Sequence, residues 1–311
     1  MSLISPSLAS PTAPRSAFNT LPLAIAAFCL LWSFAFVAGK IGVTNCPPLI
    51  LLTARFLLAG ILIFGIAMLR GEGWSLSRRD VAIFALLGIA NNALYLGLGY
   101  IGLQTVSAGL GGLIVSANPV FTAVLAAVFL GESLTWRKIA GLLLGIAGVA
   151  FIVWDRISVG ADSLHGVAFT LASLASIVAG TILFKRLAPK GDLWLGNGIQ
   201  NLAGGVALLP FASALSSVGD IVPSWRLLAA FAYLVLCGSI LAYVLWFHLL
   251  KVCGATAASA YHFLMPPLAI LFAWLVLGEH LALRDLLGIV PVALGIYLVT
   301  RPAAASVRPA S

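Results

Sequence analysis

Charge is scarce in this chain, and acid is scarcest. Charged residues make up 8% of the 311 residues, against about a quarter in an ordinary soluble domain. All nine acidic residues (Glu72, Asp80, Glu132, Asp155, Asp162, Asp192, Asp220, Glu279 and Asp285) fall in predicted loops or at the ends of apolar runs. Proton and sodium pumps usually set Asp or Glu within the membrane as relay or ion ligand. Their absence there favours a facilitator or exchanger, with histidine or backbone carbonyls left to serve any coupling. No G-x-x-x-x-G-K-[ST] loop occurs, so the chain holds no nucleotide-driven motor. It also lacks H-E-x-x-H and any Cys/His cluster with metal spacing, so neither metal nor cofactor is expected. The four cysteines suggest no disulfides: Cys29 and Cys237 lie within apolar runs, Cys46 and Cys253 near opposite membrane surfaces.

Apolar residues fill the space that charge leaves, at 62% of the sequence. About 20 consecutive apolar residues span the hydrocarbon core as a helix, because there the backbone must satisfy its own hydrogen bonds. Ten such stretches are predicted, at roughly 21–41, 47–69, 81–101, 106–130, 137–154, 164–184, 193–213, 226–249, 255–277 and 284–300. The connecting loops are short, so the expected fold is an all-α integral membrane protein with no soluble domain. Residues 1–20, rich in Ser, Pro and Ala, read as a disordered cytoplasmic tail, and 301–311 as a second tail. The first apolar stretch is too long for a signal-peptide core and lacks an A-x-A-like cleavage pattern after it, so it counts as a span.

The net charge of +8 reports topology and not an acidic partner. With the N-terminus inside, only Lys40, Arg156, Arg226 and Arg284 face outward, Arg55 lies within a span, and the other Lys and Arg face the cytoplasm. This is the positive-inside bias of a multi-pass protein with both termini cytoplasmic. The bilayer is the partner that this pattern implies, and nucleic acid is not.

The second half of the chain repeats the first. LGESLTWRKIAGLLLGIAG from Leu130 returns as LGEHLALRDLLGIVPVALG from Leu277, an offset of 147 residues. Gly131, Arg137, Gly141 and Gly148 then fall on Gly278, Arg284, Gly288 and Gly295. Five spans per copy is an odd number, so the copies are inverted relative to each other, as in alternating-access transporters. The glycine faces of the fifth and tenth spans suit close packing, either with each other as scaffold or at a dimer surface, so monomer and homodimer both stay open.

Polar groups inside the spans need a reason, because burying them in lipid is costly. Trp32, Phe36 and Lys40 share one helix face: an aromatic wall ends in an ammonium, or Lys40 snorkels to the interface. Arg55 faces a water-filled cavity, bonds to carbonyls or binds an anionic substrate group. Asn91 and Tyr95 line a shared face of the third span, and Ser239, Tyr243 and Trp246 form the matching stripe on the eighth. They point into a cavity or hold helices together. In the ninth span Tyr261 and His262 precede Met265, Pro266 and Pro267, and the repeat offset sets Pro119 on Pro266. Matched helix breaks point to a transporter's binding site, with His262 as a polar substrate contact or the partner of a freed carbonyl.

LLWSFAFVAGKIG with PPLILLTARFLLAG resembles the first two spans of the drug/metabolite transporter superfamily, in its ten-helix EamA-type branch. NPVFTAVLAAVFLGESLTWRKIAGLLLGIAGV and MPPLAILFAWLVLGEHL are similar to its fourth, fifth and ninth spans. The resemblance implies two EamA repeats over 21–154 and 164–300, a cavity lined mainly by spans 1, 3, 4, 6, 8 and 9, and export of small metabolites. Within the branch the chain resembles bacterial exporters of aromatic amino acids. That implies an inner-membrane carrier for aromatic or other neutral amino acids. Two other readings stay open: an exporter of lipophilic organic cations bound by aromatic rings, and an intramembrane enzyme built on His262, Tyr261 and Ser259.

Overall fold

The computed structural model describes residues 20–131, 135–158, 160, 162–246, 248–249, 252, 261–280 and 283–300, so both predicted tails lie outside the described residues except Thr20, which opens the first helix. Among these, the chain forms ten longer helical segments, a 3₁₀ turn at Val218–Asp220 and no strand. They are α1 (Thr20–Asn45), α2 (Pro48–Leu69), α3 (Arg78–Leu103), α4 (Ala108–Ser116 continued by Asn118–Leu130) and α5 (Trp136–Ser158). The second set is α6 (Leu164–Leu187), α7 (Leu193–Leu215), α8 (Trp225–Trp246), α9 (Tyr261–Leu264, Met265–Phe272 and Ala273–Leu277) and α10 (Leu283–Thr300). Seven of them, α1 to α4 and α6 to α8, are long and apolar enough to cross a membrane, and Pro267–Leu277 is a shorter apolar helix. Large apolar side chains such as Ile61, Leu143 and Leu209 are exposed around the outside. Lipid tails solvate such a surface, whereas in water it would drive association.

Local sequence sets where the helices begin. The side chains of Ser77, Ser107, Ser163, Asp192 and Ser224 each accept a hydrogen bond from a backbone N–H in the first turn of α3, α4, α6, α7 and α8. Such caps satisfy donors that the helix itself leaves free. Helix α2 starts on Pro48, whose missing N–H costs nothing in the first turn.

The repeat is copied in backbone conformation as well as in sequence. Helix α4 breaks at Ala117 (φ −73°, ψ −6°) and α9 at Leu264 (φ −79°, ψ −12°), 147 residues on and just before the Pro119 and Pro266 turns. Both helices end in a left-handed glycine, Gly131 at φ 69° and Gly278 at φ 68°, a conformation that a Cβ disfavours. A π-helical stretch interrupts α3 at Ile89–Leu96 and α8 at Leu234–Leu241, two residues short of the repeat offset.

Packing obeys the same symmetry. Helix α2 lies along α7, α4 against α9 and α5 along α10, so three helices pack on their own counterparts. The cross-pairs α3 with α6 and α8 with α1 complete the pattern. At the α5–α10 seam a Cβ on Gly148 would lie 2.9 Å from the Gly288 carbonyl and 2.7 Å from Val292, while one on Gly295 would collide with the Gly141 carbonyl. The glycines are therefore what lets these two helices touch backbone to backbone. The scaffold role of these spans is realised within the chain.

Candidate functional site

A cavity of about 70 Å³ lies among helices of both repeats. Its walls come from six helices: Trp32, Ala35 and Phe36 of α1, Arg55 of α2, Tyr95, Leu96, Gly99, Tyr100 and Leu103 of α3, Gly111 and Val115 of α4, Thr170 and Ser173 of α6, and Gly238, Ala242 and Tyr243 of α8. The π-helical stretches supply Tyr95 and Leu96 on one side and Gly238 on the other. Ser173 Oγ donates to the Tyr95 carbonyl at 2.7 Å, holding the widened turn against α6. Trp32 and Tyr243 approach with ring centroids 5.8 Å apart, so the wall is a continuous aromatic surface.

Arg55 is the charged group of this cavity and is only 5% exposed. Its Nε donates to Ser239 Oγ at 3.0 Å and its Nη1 to the Tyr100 hydroxyl at 2.8 Å. Ser239 is fixed in turn, because Asn197 Nδ2 donates to its carbonyl at 3.0 Å. Asn201 Nδ2 donates to both Asn197 oxygens at 2.9 Å, and both asparagines are almost fully buried. A polar chain thus runs from α7 through α8 to the guanidinium. Sequence reasoning missed Tyr100, Asn197 and Asn201, although Asn197 and Asn201 stand four apart in an apolar helix and so share a face.

The structure brings Trp32, Phe36, Arg55, Tyr95 and Tyr243 together at the cavity and places Lys40, Asn91, Trp246 and Tyr261 outside its described lining. Lys40 leaves the aromatic wall: its Nζ donates to the carbonyls of Leu103 (2.6 Å), Val106 (2.7 Å) and Gln104 (3.4 Å) at the end of α3. A cation at carbonyls left free by a helix C-terminus is favourable. Asn91 does not share the Tyr95 face but presses on Gly180 of α6, with its Oδ1 buried and unpaired. The π-turn explains this, since i→i+5 bonding moves residues four apart out of alignment. Trp246 stacks on Phe28 at 5.5 Å and Tyr261 joins the same cluster below Trp32. The His262 backbone sits in the 3₁₀ turn of α9, and its side chain, with all of Ser259, lies outside the described residues. Helix α9 adds no lining residue among the described residues, residues 253–260 of the expected ninth span lie outside them, and α2 adds Arg55 to the expected lining.

Above the cavity the α3–α4 connection is tied down from three sides. Lys40 holds the end of α3, while Glu279 accepts from the backbone N–H groups of Ala108 (2.7 Å) and Gly109 (3.2 Å) at the start of α4. Asp162, before α6, accepts from the backbone N–H and hydroxyl of Ser107. Positive charge meets a helix C-terminus and negative charge a helix N-terminus, the favourable sense for both dipoles. Leu103 both accepts from Lys40 and lines the cavity, so this clasp borders the site.

The EamA-like transporter family matches the chain twice, over residues 20–154 and 164–301. The uncharacterized transporter YoaV of Bacillus subtilis is 26% identical, covering 89% of this chain and 96% of its own. The S-adenosylmethionine/S-adenosylhomocysteine transporter of Chlamydia muridarum is 30% identical, covering 80% and 81%. A solved crystal structure shares the fold at a TM-score of 0.64 and 17% identity, covering 89% of this chain and 94% of that one. With both copies of the repeat matched and folded as paired sets of helices, the chain belongs to the EamA-like transporter family of the drug/metabolite transporter superfamily.

Proposed function

We propose that the protein is a secondary exporter of small metabolites, aromatic and neutral amino acids first among them. The two repeats rock about the cavity to expose it to either side of the membrane in turn. The observation that carries this reading is a cavity walled by helices of both repeats, where the rings of Trp32, Phe36, Tyr95, Tyr100 and Tyr243 meet and Arg55 is the charged lining group among the described residues. Rings bury the apolar body of such a substrate, and a guanidinium suits its carboxylate. The relative named as an S-adenosylmethionine/S-adenosylhomocysteine transporter supports the same class. Both of those molecules carry an amino-acid head and an aromatic base. The excess of Lys and Arg in alternate loops supports a bacterial inner-membrane setting with both termini cytoplasmic.

The test is flux of labelled phenylalanine through the purified chain in proteoliposomes. Saturable counterflow is expected, unchanged by an imposed pH gradient, because the spans hold no acid relay. Acceleration by the gradient would refute the facilitator reading, and no saturable flux would refute the substrate class.

A further inference from the structure

We infer that Arg55 anchors a carboxylate of the transported molecule, and that its uncompensated charge bars molecules carrying positive charge alone. The inference rests on the proposed transport reading and names the head group that the cavity takes. A guanidinium has five N–H donors and holds its charge when buried. Ser239 and Tyr100 take one hydrogen bond each, and Nη2 donates to nothing among the described residues. Nη2 sits against Gly238, where a Cβ would come within 3.1 Å, so the missing side chain leaves it open.

Among the described residues no carboxylate pairs with this group. The acids of the sequence stand at span ends and loops, and Asp162 and Glu279 are engaged on the α3–α4 connection. Among the described residues the one ion pair within 4.0 Å joins Arg70 and Glu72, both largely exposed, at 3.8 Å. Tyr100 and Ser239 are neutral acceptors that aim the fork without cancelling its charge. A buried cation left this way is costly unless an anion meets it. The aromatic wall surrounding it would by itself welcome cations, so Arg55 decides the sign of the cargo.

Four probes sharing one ring test this on the full chain: phenylalanine, 3-phenylpropionate, phenethylamine and phenylalaninamide. Equilibrium binding and competition against flux should keep the first two close together. The two without a carboxylate should bind about 10- to 100-fold more weakly, the value of a charge-assisted pair. Arg55→Lys should retain the preference and Arg55→Gln should abolish it. If Arg55→Gln does not fold, because the guanidinium also ties α2 to α3 and α8, the probe series on the unaltered protein still decides. Equal affinity for all four would mean that water or chloride already satisfies the charge, and would overturn the anchor. Preference for phenethylamine would overturn it too, while leaving a transporter of cations. Absence of binding and flux for every probe would remove the proposed function and the anchor with it.

Discussion

If the α3–α4 clasp is a lid, Lys40→Met opens it: the substitution removes the ammonium and leaves an apolar side chain one atom shorter. Two strong hydrogen bonds are lost, to the Leu103 and Val106 carbonyls at 2.6 and 2.7 Å, with a weaker one to Gln104 at 3.4 Å. A hydrogen bond to a charged group contributes roughly 1.5–3 kcal/mol. Water reaches part of this site and rehydrates the freed carbonyls, so the net loss is about 2–3 kcal/mol for the pair. That loss falls on the closed form alone if opening this end parts α1 from α3. The equilibrium then moves towards the open form by roughly 30- to 150-fold. A cysteine at Gly111 reports it, because a side chain there meets Leu103 at an ordinary 3.6 Å and faces the cavity. In a chain whose four native cysteines are replaced, a membrane-impermeant thiol reagent should label it at least about tenfold faster in the Lys40→Met background. Lys40→Arg should label at the original rate. Equal rates in all three backgrounds would refute the lid.

Four further outcomes are expected. Gly148→Ala puts a methyl against Val292 and the Gly288 carbonyl, and should cost about 1–3 kcal/mol of stability, read as a lower melting temperature in detergent. Gly65→Ala, with nothing within 4 Å, should be neutral or raise stability by up to about 1 kcal/mol; a fall equal to that of Gly148→Ala would show the seam to be unimportant. Gly238→Ala brings a Cβ to 3.1 Å from Arg55 Nη2, and should weaken phenylalanine binding several-fold with the melting temperature unchanged; unchanged affinity would place the substrate elsewhere. Asn197→Leu strips the Ser239 carbonyl and the Asn201 amide of a partner, costing about 1–3 kcal/mol and raising KM; no change in either would remove that chain from the positioning of Arg55.

What the sequence disclosed follows from what repeats and what is costly. Apolar runs make spans legible because only helices satisfy the backbone in lipid. The 147-residue offset, read from glycines and prolines, already contained the Ala117 and Leu264 breaks and the α5–α10 seam. Arg55 stood out because a buried charge must have a use. Lys40 was misread because its partners, the carbonyls from Leu103 to Val106, are backbone atoms more than sixty residues away and leave no trace in residue identity. Asn91 was misplaced because nothing in IANNALYL announces a π-turn, and a side chain's direction depends on it. Tyr100 went unnoticed among glycines, though it holds one arm of the guanidinium.

The way α2, α4 and α5 lie on α7, α9 and α10 has a consequence for origins. A surface that packs on its own counterpart about a twofold axis is the surface of a homodimer, here closed within one polypeptide. A half-length ancestor with a single copy of the repeat would already possess a mate for each of those faces, provided that two copies inserted in opposite directions. Fusion removed the need to insert both ways. It also freed each half to change alone, and the cavity records the result: one half contributes a guanidinium, the other the serine and asparagine that hold it still.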